Sequence, residues 1–167
     1  MTFTVSHVLF ILFSAVVLIG AVGVVARRNL FWSALFLVLS FVGVAGYYIL
    51  LEAEFLAMIQ LLVYVGAIAI LVIFAVMLTP QIMSPEFRAR NEQWIVGLVV
   101  TVALFAVLAY ILVQVSWPTA PSAVPEDSIS RLGQALVSPD QYALPFEVAS
   151  LLLLAALVGA VIIARDK

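Results

Sequence analysis

The sequence predicts an all-α integral membrane protein of five transmembrane helices, amino terminus outside and carboxyl terminus cytoplasmic. Three observations predict it. Of the 167 residues, 66% are hydrophobic and only 10% charged, and the mean hydropathy of +1.30 lies far above that of domains that fold in water. Five stretches are apolar over the roughly 20 residues that a helix needs to cross a hydrocarbon core of ~30 Å. Basic residues gather at alternate ends of those stretches, the pattern that orients membrane helices.

The first stretch, Phe3 to Val25, is preceded by no Lys or Arg, so it lacks the positive flank of a cleaved signal peptide and reads as a retained span. Leu30 to Leu51 follows after "ARRN", and Phe55 to Leu78 after "EAE". Links so short force these three helices to run up, down and up as neighbours. Over 79–93, Pro80, Pro85 and the mixed-charge run "EFRARNE" stop the third helix and make a solvated loop. The fourth span is Trp94 to Val115, and it leads into an outer loop over 116–143 that holds Pro118, Pro121, Pro125 and Pro139. Within that loop "SISRLGQALV" sets Ile129, Leu132 and Leu136 on one helical face. This suits a short helix lying on the membrane or on a partner, or a compact surface loop. Leu144 to Ala164 is the fifth span. No internal repeat or low-complexity tract divides the chain, so residues 1–167 read as a single membrane domain.

Arg27 and Arg28 follow the first span, Arg88 and Arg90 the third, Arg165 and Lys167 the fifth, so six of seven basic residues share one side. That side is cytoplasmic by the positive-inside rule, with Arg131 alone dissenting. Glu52, Glu54, Glu126, Asp127 and Asp140 then lie outside. Trp32, Trp94 and Trp117 fall at span ends, where an amphipathic ring suits the interface. Tyr47, Tyr48 and Tyr110 lie in the outer parts of spans and Tyr142 just before one; only Tyr64 sits mid-span.

The charge inventory excludes several functions. A net charge of -2 with seven basic residues offers no patch for nucleic acid. The chain has no cysteine and one histidine, His7, so the thiolate and imidazole ligands of iron–sulfur clusters, haem and most zinc sites are missing. No metal and no redox centre of its own is expected. Away from the span ends there is no Lys, Arg, Asp or His, although such groups mark ion paths. Five spans also do not divide into the equal inverted halves of many secondary transporters. The chain is expected to act with other subunits.

Three carboxylates and one helix centre are the candidate sites. Glu147 lies just inside the last span behind Pro145, where the helix dipole would favour it by ~0.3–1 kcal/mol; it could equally handle protons or pair with another subunit. Glu52 and Glu54 flank the start of the third span, either as solvated loop residues or in a similar role. Small residues at Gly20 and Gly23, Gly43 and Gly46, Ala155 and Gly159, and Ala156, Ala160 and Ala164 are expected packing faces. In the third span Gly66 falls ~17 Å from Phe55, at the bilayer midplane. Tyr64 is within a turn of it and Gln60 lies at i−4 on the same face, placed to share a hydrogen bond or a water. Gly66 weakens a helix by ~1 kcal/mol relative to Ala and admits a distortion. A plainer account has Gly66 admitting a neighbouring helix and Tyr64 bonding to that helix's backbone.

The stretches "EFLAMIQLLVYVGAIAILVIFAVML", "LPFEVASLLLLAALVGAVIIAR" and "RRNLFWSALFLVLSFVGVAGYYIL" make up 71 of the 167 residues. They resemble the subunit J family of the proton-pumping NADH-quinone oxidoreductase, respiratory complex I, whose mitochondrial counterpart is subunit 6. The loops at 79–93 and 116–127 carry no resemblance. The resemblance implies a membrane-arm subunit between the quinone-site subunit and the small antiporter-like subunits, in the bacterial cytoplasmic (inner) membrane. It implies that flavin (FMN), iron–sulfur clusters and quinone are bound by other subunits, this chain being a non-redox part of the translocase without activity in isolation. It further implies that the third helix can hold a π-bulge at Tyr64, Val65 and Gly66. Conversion of that bulge to α-helix would turn the face through Ile68 and Phe74 and open or close a water path. The alternatives are a purely structural spacer, or the related subunit of a hydrogenase or cation-antiporter assembly.

Overall fold

A backbone in hydrocarbon must satisfy its N–H and C=O groups within itself, which a helix does segment by segment. The computed structural model describes residues 5–79, 93–116 and 127–165, and every regular element among them is helical. Two compact units divide the chain, Met1–Ala120 and Pro121–Lys167. The first holds α1 (Val5–Ala26), α2 (Leu30–Leu50), α3 (Glu54–Leu78) and α4 (Trp94–Gln114). The second holds α5 (Ser128–Val137) and α6 (Ala143–Ala164). All except α5 are long and apolar enough to cross a membrane, five in number among the described residues.

Spans therefore fall within a residue or two of their expected bounds wherever both ends are described, the usual latitude at helix termini. Phe3, Pro80, Pro85, Glu86, Arg88, Arg90, Trp117, Pro118, Pro121, Pro125, Glu126 and Lys167 lie outside the described residues. Trp94 opens α4 and Trp32 stands exposed in the first turn of α2.

Glycine decides how α1 meets α2. A Cβ on Gly46 would come within 2.3 Å of the Phe13 ring, one on Gly23 within 2.3 Å of the Phe36 ring, and one on Gly20 within 2.7 Å of the Ser40 backbone. Each helix thus offers a gap to a bulky residue of the other, and the backbones close to a distance that larger residues forbid. The contact is sealed by a hydrogen bond between the Ser14 and Tyr47 hydroxyls at 2.6 Å. The turn before α2 is fixed by Asn29, whose Oδ1 accepts the Phe31 N–H at 2.9 Å, an ordinary N-cap.

Between α2 and α3 the chain turns through Leu51, Glu52 and Ala53. The Ala53 N–H reaches back to the Tyr48 carbonyl (2.9 Å) and the Glu52 N–H to the Ile49 carbonyl (3.1 Å). This is a Schellman motif, and it requires a left-handed residue at its centre. That residue is Glu52, with φ of 56°. The turn lays α3 against α2, with Ala57, Gln60 and Ala69 buried.

In the second unit "SISRLGQALV" is a helix, which resolves the two sequence expectations against the irregular loop. Leu132, Ala135 and Leu136 are half-buried while Ser130, Arg131 and Gln134 are exposed. The Tyr142 N–H bonds back to the Ala135 carbonyl at 3.1 Å, and α5 packs against α6. The α6 small-residue stripe is open within its own unit. A Cβ at Gly159 would meet no atom within 4 Å, and α6 buries no residue. Within the first unit the sequence signal for close approach is met where α1 and α2 touch.

Candidate functional site

The apolar run of α3 should wind evenly, since nothing in "FLAMIQLLVYVGAIAILVIFAVML" forbids an α-helix. It does not. Glu54–Ile59 and Ile70–Leu78 are α-helical, but the ten residues Gln60–Ala69 form a π-helix. At the entry the Gln60 N–H is shared between the Leu56 and Ala57 carbonyls. One sequence feature fits the wide turn sterically. A Cβ on Gly66 would stand 3.3 Å from the Leu61 carbonyl oxygen, five residues back, closer than side chains ordinarily sit. Glycine relieves that crowding.

The wide turn changes which residues face α2. The inward stripe runs through Ala57, Gln60, Val65, Ala69, Ile73 and Val76, with a step of five between Gln60 and Val65. Five α-helical turns take ~18 residues, and this stripe takes one more. The π segment therefore stores one extra residue. Ile68, Leu71 and Phe74, which an unbroken helix would carry toward α2 behind Gln60, are instead 41%, 70% and 60% exposed.

Gln60 is 5% exposed, and its Nε2 donates to the Phe41 carbonyl of α2 at 3.4 Å. Of the two arrangements open to Gln60 and Tyr64, a direct hydrogen bond or a shared water, the direct bond is not formed, and the Gln60 amide reaches across to α2. Tyr64 instead meets the Phe41 ring edge-on, with centroids 5.6 Å apart and planes at 77°, a favoured aromatic geometry. Phe41 touches both ends of the first π turn, and nothing in the sequence marked it. Among the described residues the nearest atom to a Cβ on Gly66 belongs to α3 itself.

Of the carboxylates in the first unit, neither Glu52 nor Glu54 joins this cluster. Glu52 is exposed in the turn and Glu54 is the exposed first residue of α3. Glu147 is exposed in the second unit, the fifth residue of α6 and so beyond its first turn. Because dipole stabilisation fades after that turn, the helix-terminus account of Glu147 loses force. Among the described residues no three His, Cys, Asp or Glu side chains gather as a metal site would need.

Five membrane-length helices, with a buried amide and a π-helical segment in the same helix among the described residues, define a multi-pass membrane protein. The chain belongs to the NADH-ubiquinone/plastoquinone oxidoreductase chain 6 family, whose model matches residues 20–163. It is 37% identical over 161 residues to NAD(P)H-quinone oxidoreductase chain 6 of Leptolyngbya boryana, covering 95% of this chain and 79% of the relative. It is 39% identical over 170 residues to the chloroplastic subunit 6 of Zygnema circumcarinatum, covering 95% and 92%. It is 40% identical over 158 residues to chain 6 of a Nostoc species, covering 92% and 76%. These relatives are subunits of an enzyme complex, so the partners of this membrane protein are other subunits of such a complex.

Proposed function

We propose that this chain couples quinone reduction to proton translocation in the membrane arm of an NAD(P)H-quinone oxidoreductase, and that α3 is its moving part. The observation that carries the reading is the π segment Gln60–Ala69 in a bilayer-spanning helix of this family. π-helical turns are uncommon and concentrate at functional sites. Releasing the extra residue turns everything beyond it by about 100°. Ala69 and Ile73 would leave the α2 interface, and Leu71 and Phe74 would enter it. Tyr64, Val65 and Gly66 act as the hinge, Gln60 is the fixed end on Phe41, and Ile68 with Phe74 forms the face that wets or dries a path lined by neighbouring chains. Each quinone state needs to favour one register by only a few kcal/mol.

Flavin, iron–sulfur clusters and quinone belong to other subunits in this reading, and the chain itself contributes no redox chemistry. Its neighbours are the quinone-site subunit and the small antiporter-like subunits. The chain spans the bacterial cytoplasmic membrane with the amino terminus outside, supported by Arg27 and Arg28 between α1 and α2 and Arg165 after α6. Glu147, Glu52 and Glu54 are secondary candidates for proton release or subunit contact. The left-handed backbone of Glu52 supports its candidacy, because a carboxylate is kept where glycine fits better.

Gly66→Leu tests the gate. Replacing glycine favours the α register by its helix propensity and crowds the π turn, a bias of about 1–2 kcal/mol that shifts the two registers by about 5–30-fold. The complex should assemble, with quinone reductase turnover and proton translocation reduced several-fold. Unchanged activity in the assembled complex would favour the structural-spacer alternative.

A further inference from the structure

The α1–α2 pair carries a feature that the gate does not use. A groove of about 570 Å³ opens on its surface, lined by Leu18, Ile19, Val22 and Ala26 of α1, with Phe36 of α2 and Arg27 at its end. Gly23 leaves room for the Phe36 ring to lie directly against α1. The Arg27 guanidinium sits over that same ring, 5.3 Å from its centroid, a cation–π distance. The volume is that of a small-molecule site, within roughly 300–1,000 Å³.

Two dimensions say what fits. From Leu18 to Arg27 the groove runs ~14 Å along the helix, about half of the ~30 Å hydrocarbon core. That is the depth of one leaflet. Its walls are apolar throughout that depth, its end carries Arg27, and Arg28 follows next in sequence, with no ion pair to either among the described residues. A ligand for it has one long apolar tail, a length of one leaflet, and an anionic group at the membrane surface. Basic pockets at the ends of transmembrane helices hold acidic lipid headgroups for this reason, and guanidinium matches a phosphate in bidentate geometry.

We propose that this groove is a binding site for an anionic phospholipid, one acyl chain lying along Leu18, Ile19 and Val22 and the headgroup phosphate held by Arg27 and Arg28. The Phe36 ring fixes the guanidinium so that less side-chain freedom is lost when the phosphate arrives. The site is independent of the winding of α3.

The test uses the intact complex in vesicles that contain phosphatidylglycerol with a photoactivatable diazirine on its acyl chain, or phosphatidylcholine bearing the same chain. After illumination, adducts are mapped along this chain by mass spectrometry. Phosphatidylglycerol is expected to label the segment from Leu18 to Ala26 and phosphatidylcholine to label it at least about fivefold less; Arg27→Gln lowers the phosphatidylglycerol adduct by about fivefold, and Arg27→Gln with Arg28→Gln lowers it further. Ala26→Trp, which fills the groove and leaves both arginines, removes the adduct, while native gels confirm assembly of each variant. Equal labelling by the two lipids would reduce the groove to ordinary lipid contact and overturn the proposal. So would the absence of any adduct there, the result if a neighbouring chain covers the groove, or labelling that survives Ala26→Trp.

Discussion

Glu52 is the only described residue other than glycine with a left-handed backbone, φ of 56°. An L-residue in that region costs roughly 1–2 kcal/mol, while glycine there costs ~0.5–1 kcal/mol through the freedom of the unfolded chain. Glu52→Gly is therefore expected to stabilise the α2–α3 hairpin by about 0.5 kcal/mol, read as a higher denaturation midpoint in detergent, and Glu52→Ala to leave it unchanged. A lower midpoint for the glycine variant would contradict the account of the turn. At this scale the sequence was informative where chemistry is local. Gln60 stood out as a mid-span amide and is buried, and the glycines of α1 and α2 are where the helices touch. Phe41 was not legible, because a phenylalanine among apolar neighbours looks the same whether it faces lipid or receives Gln60 and Tyr64. Glu52 was legible as a carboxylate but not as a strained residue, since glutamate gives no turn signal.

The third helix is where period and structure part. An apolar run on all sides has no amphipathic stripe to reveal its winding, so the extra residue could not be read from spacing; the mid-span Tyr64 and Gly66 marked the place, and the family resemblance alone pointed to a π-bulge there. Once the stripe through Gln60 and Val65 is known, a direct test of softness follows. Deleting Val63, an exposed residue inside the π segment, removes the extra residue while leaving Ala69, Ile73 and Val76 facing α2. The helix becomes α throughout with its present faces retained. The complex should assemble normally and lose coupled proton translocation, because the second register is no longer reachable; full proton translocation by the assembled variant would mean the π segment is dispensable. The short α5 shows the opposite case. Its Ile129, Leu132 and Leu136 pattern is amphipathic and was legible as a possible helix, and its polar connections are local.

For the molecule as a whole, five spans were legible because the bilayer sets a length that apolar runs must meet. What covers them was not. Within their own units neither α4 nor α6 buries a single described residue, and no spacing in their apolar runs says which neighbour each face meets. The central claim is that α3 has two registers and that turnover moves it between them. The most direct measurement is a set of density maps of the intact complex, one resting and others trapped during quinone reduction. The account predicts π-helical winding over Gln60–Ala69 in one state and continuous α-helix in another, with Leu71 and Phe74 turned toward α2 and a change in ordered water beside them. One winding and one hydration pattern in every state would contradict it.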